Sequence, residues 1–170
     1  MHVQGKITLI AATFVAANLG YGIPMSANAD DSRAELVSLI NSADQLYNDA
    51  ALIVAKHPTT QGAVDIIFDT VGKQWQNDEK AFQDSLAPLQ KESGLPDAVS
   101  YAVIRLRQFD GLVFEAVGDV YDCDDYAANA DLKIAQEILA HAQMAANGKP
   151  DPKWNPEHLL TDPVDSAACQ

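Results

Sequence analysis

Cysteine is nearly absent: the 170 residues include only Cys123 and Cys169. Without a C-x-x-C pair, redox chemistry, covalent haem attachment and a two-cysteine metal site have no pattern to rest on. In an oxidising compartment an isolated pair of this kind is expected to close one disulfide. The loop it would close, 46 residues from position 123 to 169, gains about 3–5 kcal/mol in the chain-entropy model. Basic residues are also scarce, with 11 Lys and Arg against 24 Asp and Glu and a formal charge of −13. Such a surface repels phosphate backbones and anionic lipid, which argues against nucleic acid as a partner. It favours cationic ligands and basic protein surfaces.

Long apolar runs are missing too. The richest, Ile7–Leu19, falls short of the ~20 residues a spanning helix needs, so no stable membrane anchor is expected. The catalytic signatures H-E-x-x-H, G-x-S-x-G and a Gly-rich phosphate loop do not occur. Neither does the Glu-x-x-His spacing of di-iron bundles, since Glu137 and His141 stand four apart. No strand-like alternation and no internal repeat compete with a helical reading.

What is present begins with an address. Lys6, the Ile7–Leu19 run and Ala27-Asn28-Ala29 follow the order of a secretory signal with an A-x-A cleavage site. Residues 1–29 are therefore expected to be removed, and the mature chain to be exported, periplasmic or secreted. It would start near Asp30 and carry 24 acids against 10 bases.

Helical periodicity fills most of the remainder. Ser32-x-x-Glu35 has capping-box spacing, and Leu36, Leu39, Ile40, Ala43, Tyr47, Ala50 and Val54 share one face. His57-Pro58 should stop that helix, where a positive His57 also suits the helix dipole. A second helix is expected from Thr59 or Thr60, with the stripe Val64, Ile67, Phe68, Val71, Trp75, Phe82, Leu86 and Leu89. Ser93-Gly94 should end it. Leu95-Pro96-Asp97 starts a third, carrying Val99, Val103, Leu106, Val113, Val117 and Val120. After an acidic connector, a fourth is expected from Tyr126 to Asn147, with Gly148 as its cap.

Short connections between four helices predict an all-α, antiparallel up-down four-helix bundle over residues 30–148. Residues 149–170 hold repeated prolines and form an irregular tail. A Cys123–Cys169 bond would require that tail to fold back along the fourth helix. Trp154, Leu159 and Leu160 would then cover a seam of the bundle, while His158 stays solvated.

Two constellations invite function. Asp78 and Asp110 interrupt the apolar stripes of the second and third helices and share a level if Leu89 lies opposite Val99. With His141 about one turn away, and Glu79 or Glu137 assisting, Asp78, Asp110 and His141 would make an oxygen/nitrogen site for a divalent metal ion. The structural alternative is that Arg107 neutralises Asp110 locally. The second constellation is Asp122, Asp124 and Asp125 around Cys123. These acids lack the spacing of a calcium loop and favour the start of the fourth helix electrostatically. Together with Trp154 they offer an acidic partner-binding face.

The reading that follows is an exported, noncatalytic protein. It binds another, basic protein in an inhibitor, immunity or chaperone-like role. The alternative is a bundle that binds a small ligand or divalent metal; an enzyme ranks third.

Overall fold

Four long helices follow one another in the computed structural model, which describes residues 27–156. Helix α1 spans Ala27–Val54. Helix α2 is one continuous rod built from Gln61–Ile67, a π-helical turn Phe68–Gly72, and Lys73–Lys91. Helices α3 (Asp97–Tyr121) and α4 (Asp125–Ala146) complete the set. There is no strand among the described residues. The expected all-α helical bundle is what forms. Residues 1–26 of the expected 1–29 signal, and the tail beyond Pro156 with His158, Leu159, Leu160 and Cys169, lie outside the described residues.

Side-chain bonds fix the helix directions. Ser32 near the start of α1 donates to the Glu92 carboxylate just past the end of α2, at 3.3 Å. Gln143 near the end of α4 donates to Asp44 in α1 at 3.0 Å. His57, just past the end of α1, meets Asp125 at the start of α4 at 3.0 Å. Both α2 and α4 therefore run against α1, as an up-down bundle requires. Helix α3 packs most extensively on α4, and α1 touches all three other helices. Leu36, Leu46, Leu106, Phe109 and Ile138 are fully buried where these faces meet.

Local sequence explains most boundaries, with one correction. Within the described residues α1 is already helical at Ala27, upstream of the expected capping box. Ser32 is thus an interior helical residue, 5% exposed, whose hydroxyl serves α2 instead of a free helix end. Thr60 caps α2 as expected, its Oγ1 accepting from the Ala63 N–H at 3.3 Å. At the end of α3, Cys123 adopts φ +57. The Asp124 N–H reaches the Asp119 carbonyl at 2.9 Å and the Cys123 N–H reaches Val120 at 3.2 Å, which is a Schellman closure. Asp124 then caps α4 by accepting from the Ala127 N–H at 2.9 Å. Gly148, at φ +75, closes α4 in the same way, with Lys149 N–H on Met144 and its own N–H on Ala145.

The π-helical turn alters the stripe of α2. One extra residue in that turn moves the inward position from Val71, which is 38% exposed, to Gly72, which is buried. A Cβ at Gly72 would stand 2.9 Å from the Phe68 ring and 3.0 Å from the Tyr121 hydroxyl. Phe68 and Tyr121 meet edge to face across that gap, with centroids 5.2 Å apart. The Thr70 hydroxyl donates to the Ile66 carbonyl at 2.7 Å, partnering an acceptor in the distorted turn.

Candidate functional sites

Beyond the π-helical turn, the buried positions of α2 are Trp75, Glu79, Phe82, Leu86 and Leu89. These steps of four and three place Glu79 on the inward seam, one position from the Asp78 expected there. Asp78 is only half-buried and accepts from Gln74 on its own helix at 2.9 Å. Asp110 does face α2, and Phe82 and Phe109 pack edge to face beside it, with centroids 6.2 Å apart. Its partner is Gln83, whose Nε2 donates to Asp110 Oδ2 at 3.1 Å and also to Glu79. Arg107, the expected neutraliser, is exposed. Asp110 Oδ1 is buried with no hydrogen-bond partner. Burial, with the Glu79 carboxylate nearby and only partial relief from Gln83, pushes Asp110 up to about 6. Burial also raises Glu79.

His141 belongs to a different neighbourhood. Its ring stacks on Trp154 with centroids 3.8 Å apart and planes 13° apart. Thus Asp78, Asp110 and His141 have separate partners and do not form the expected metal site. Among the described residues, no three His, Cys, Asp or Glu side chains gather as metal ligands do. The sequence-level error was one residue of helical phase. It lies in the choice between three and four residues after Trp75: Trp75, Phe82, Leu86 and Leu89 are buried as expected, and Glu79 instead of Asp78 completes that face.

Trp154 joins a cluster that clamps residues 149–156 onto α3 and α4. Asp151 starts a tight turn, its carbonyl accepting from the Trp154 N–H at 3.2 Å and from the Tyr101 hydroxyl at 2.7 Å. Arg105 is 7% exposed. Its Nη2 donates to the Trp154 carbonyl at 2.7 Å and its Nη1 to Gln108 at 2.8 Å. The guanidinium carbon lies 4.7 Å from the Tyr101 ring centroid and 4.8 Å from that of Trp154. Among the described residues no carboxylate pairs with Arg105, and its Nε has no hydrogen-bond partner. Rings and carbonyls take the place of a counter-ion. The segment then runs back along α4. Pro156 sits with Gln108, Gly111, Leu112, Ile134 and Ile138 around a groove of about 280 Å³ between α3 and α4.

The acidic connector forms a third cluster. Asp119 and Asp131 hydrogen-bond to each other across α3 and α4. Burial, then repulsion from Asp119 and Glu115, pushes Asp131 up to about 6. Asp119 is raised as well, by burial first and then by Asp124, Asp122 and Glu115. Three ion pairs occur among the described residues: Lys73–Asp69, Lys80–Asp84 and His57–Asp125. Of these, only the His57 pair brings a base to this end. Asp122 is exposed, and Asp124 and Asp125 are half-buried.

Sequence reasoning singled out Trp154, His141, Asp110 and the connector acids, but missed Arg105 and Tyr101 as a clamp and Gln83 as the partner of Asp110. It placed Glu79 only in a supporting role. The available signal for Arg105 and Tyr101 was their i, i+4 spacing beside the apolar stripe of α3. No family model, curated protein or solved structure matches this chain. No helix among the described residues is long and apolar enough to cross a membrane.

Proposed function

We propose that this is an exported, noncatalytic interaction protein whose acidic α3–α4 end docks on a basic surface of a partner protein. The single observation behind this reading is the like-charge crowding of Glu115, Asp119, Asp122, Asp124 and Asp131 at one turn. Lysine and arginine do not neutralise that turn through any ion pair among the described residues. Bringing cationic side chains to it relieves repulsion already present in the free protein, and so favours association. The same reading includes removal of residues 1–29 and a Cys123–Cys169 disulfide. The intact mass of protein taken from the host's exported fraction tests both. The expected mass lacks residues 1–29 and two further hydrogens; a full-length, fully reduced chain overturns that part.

The docking reading is tested by capturing the partner from that fraction and measuring its affinity for two triple variants of equal charge. Asp122→Asn, Asp124→Asn and Asp125→Asn together should weaken binding roughly tenfold or more and flatten its salt dependence. Asparagine at position 124 still caps α4, so the fold is spared. Asp65→Asn, Asp69→Asn and Asp84→Asn, all on exposed parts of α2, should bind as the parent does. Equal loss in both variants reduces the effect to net charge and overturns the docking site.

A further inference from the structure

We propose that residues 149–156 are an acid-released strap, closed when the His141 ring stacks on Trp154 as a neutral imidazole and opened when that ring takes up a proton. The first support is geometric. His141 Nδ1 is buried and has no hydrogen-bond partner. A second ring proton at that atom would have no acceptor in the closed arrangement, an arrangement polar groups avoid when buried. The second support is electrostatic. The buried guanidinium of Arg105 lies against the same Trp154 ring, so a charged imidazole would add a second cation to one indole.

The charged groups around His141 come from each element packed on it. Arg105 on α3 disfavours the imidazolium, whereas Glu137 on α4 and Asp151 in the strap favour it. From the α1 side, Asp44 is engaged by Gln143. Burial is the largest influence and holds the ring below its ordinary value. The closed strap thus binds fewer protons than the open one. Its closure is complete above the ordinary imidazole range near 6.5 and is lost as the pH falls through the lower value of the closed state.

Among the described residues, the interactions broken on opening include the Tyr101 bond to Asp151, the Arg105 bond to Trp154, the stacking of the indole on His141 and Arg105, and the packing of Pro156 between α3 and α4. None joins α1 to α2, so the bundle has no need to unfold with the strap. Opening would bare the indole, the Arg105 guanidinium and the Pro156 side of the α3–α4 groove. The device therefore converts acidification into exposure of a mixed aromatic and cationic surface, at the opposite end of α4 from the acidic turn.

The test uses the full chain with 5-fluorotryptophan at its two tryptophans, followed by fluorine NMR from pH 8 to 4.5 in EDTA at constant ionic strength. Trp154→Phe assigns the two resonances. The expected result is a single transition of the Trp154 resonance with its midpoint below 6.5, accompanied by a new solvent-isotope shift. Trp75, buried in the bundle, should stay unmoved. His141→Phe keeps a stacking ring that cannot titrate, and should hold Trp154 in its neutral-pH position throughout. His141→Gln, a second non-titrating variant, should remove the transition as well. Asp110→Asn and Asp131→Asn should leave the midpoint unchanged. A transition that survives in both His141 variants overturns the proposal. So does a shift without the isotope effect, which reports local titration with the strap closed, or a Trp154 signal that stays fixed until far-UV circular dichroism shows the bundle melting.

Discussion

Replacing Arg105 with alanine should leave the helices formed but lower stability by about 2–3 kcal/mol, on the order of 10 °C in Tm for a chain of this size. The arithmetic follows from what the guanidinium touches. It makes charge-assisted bonds to Gln108 and to the Trp154 carbonyl, and it lies over the Tyr101 and Trp154 rings. A hydrogen bond to a charged group contributes ~1.5–3 kcal/mol and a desolvated cation–π contact ~1–2 kcal/mol. Against these stands the cost of burying a cation with no carboxylate beside it, which alanine removes. The favourable contacts win because the variant also leaves the Trp154 carbonyl without its donor and a gap beneath the indole.

Arg105→Lys should rescue little of this loss. An ammonium group is a point charge and cannot lie flat against two rings while forking to two carbonyl oxygens. Urea denaturation of Arg105→Ala, Trp154→Ala and the double variant checks the account. The two losses should be strongly non-additive, coupled by at least ~1 kcal/mol, because each substitution dismantles the same cluster. Parent-like stability for Arg105→Lys, or simple additivity of the two alanine variants, would show that Arg105 does not hold the strap.

Architecture was legible in the sequence because it rests on signals that repeat. Leu36, Leu39, Ile40, Ala43 and Ala50 recur often enough that a single error of phase, Tyr47 expected where Leu46 is buried, does not matter. Thr60 and Gly148 announce helix ends through chemistry confined to a few neighbouring residues. The metal trio failed for the converse reason. It depended on the phase of individual side chains on three helices: Glu79, four residues after Trp75, takes the buried place expected for Asp78, and His141 stacks on Trp154. Nothing in residues 68–72 themselves spells out a wide turn. There Gly72 takes the inward place expected for Val71, close against the Phe68 ring and the Tyr121 hydroxyl. Arg105 escaped notice on similar grounds. An arginine beside an apolar stripe reads as a solvated edge until residues 149–156 cover it, and that cover comes from sequence positions nearly fifty residues away.

Acidification from pH 7.5 to 5 should stabilise the bundle, the reverse of what paired surface carboxylates produce. Asp110 and Asp131 are both pushed up to about 6 from an ordinary value of 3.8. A folded state whose carboxyls hold their protons more tightly than the unfolded chain gains stability as the pH falls. The gain is complete below the unfolded value near 3.8 and is lost as the pH rises through about 6. For a fully buried group, a rise of that size would correspond to about 3 kcal/mol. Both carboxyls are partly screened by solvent, so on the order of 1 kcal/mol each is expected. Asp131 and Asp119 titrate as a pair, and the proton they share is counted once. The exposed Lys73–Asp69 and Lys80–Asp84 pairs oppose the gain only weakly above pH 5. The double variant Asp110→Asn, Asp131→Asn isolates the effect, since the amide oxygen introduced by Asp110→Asn still accepts from Gln83 and neither amide titrates. It should be more stable than the parent at pH 7.5 by about 1–2 kcal/mol, and nearly equal to it at pH 5. Urea unfolding at both pH values decides the matter: identical pH slopes for parent and variant would mean that neither carboxyl is held out of water as the helix contacts imply. His141 contributes with the opposite sign below 6.5, but only through the strap. Local opening and global stabilisation should therefore occur in the same pH window, with the bundle firmest where residues 149–156 are loosest.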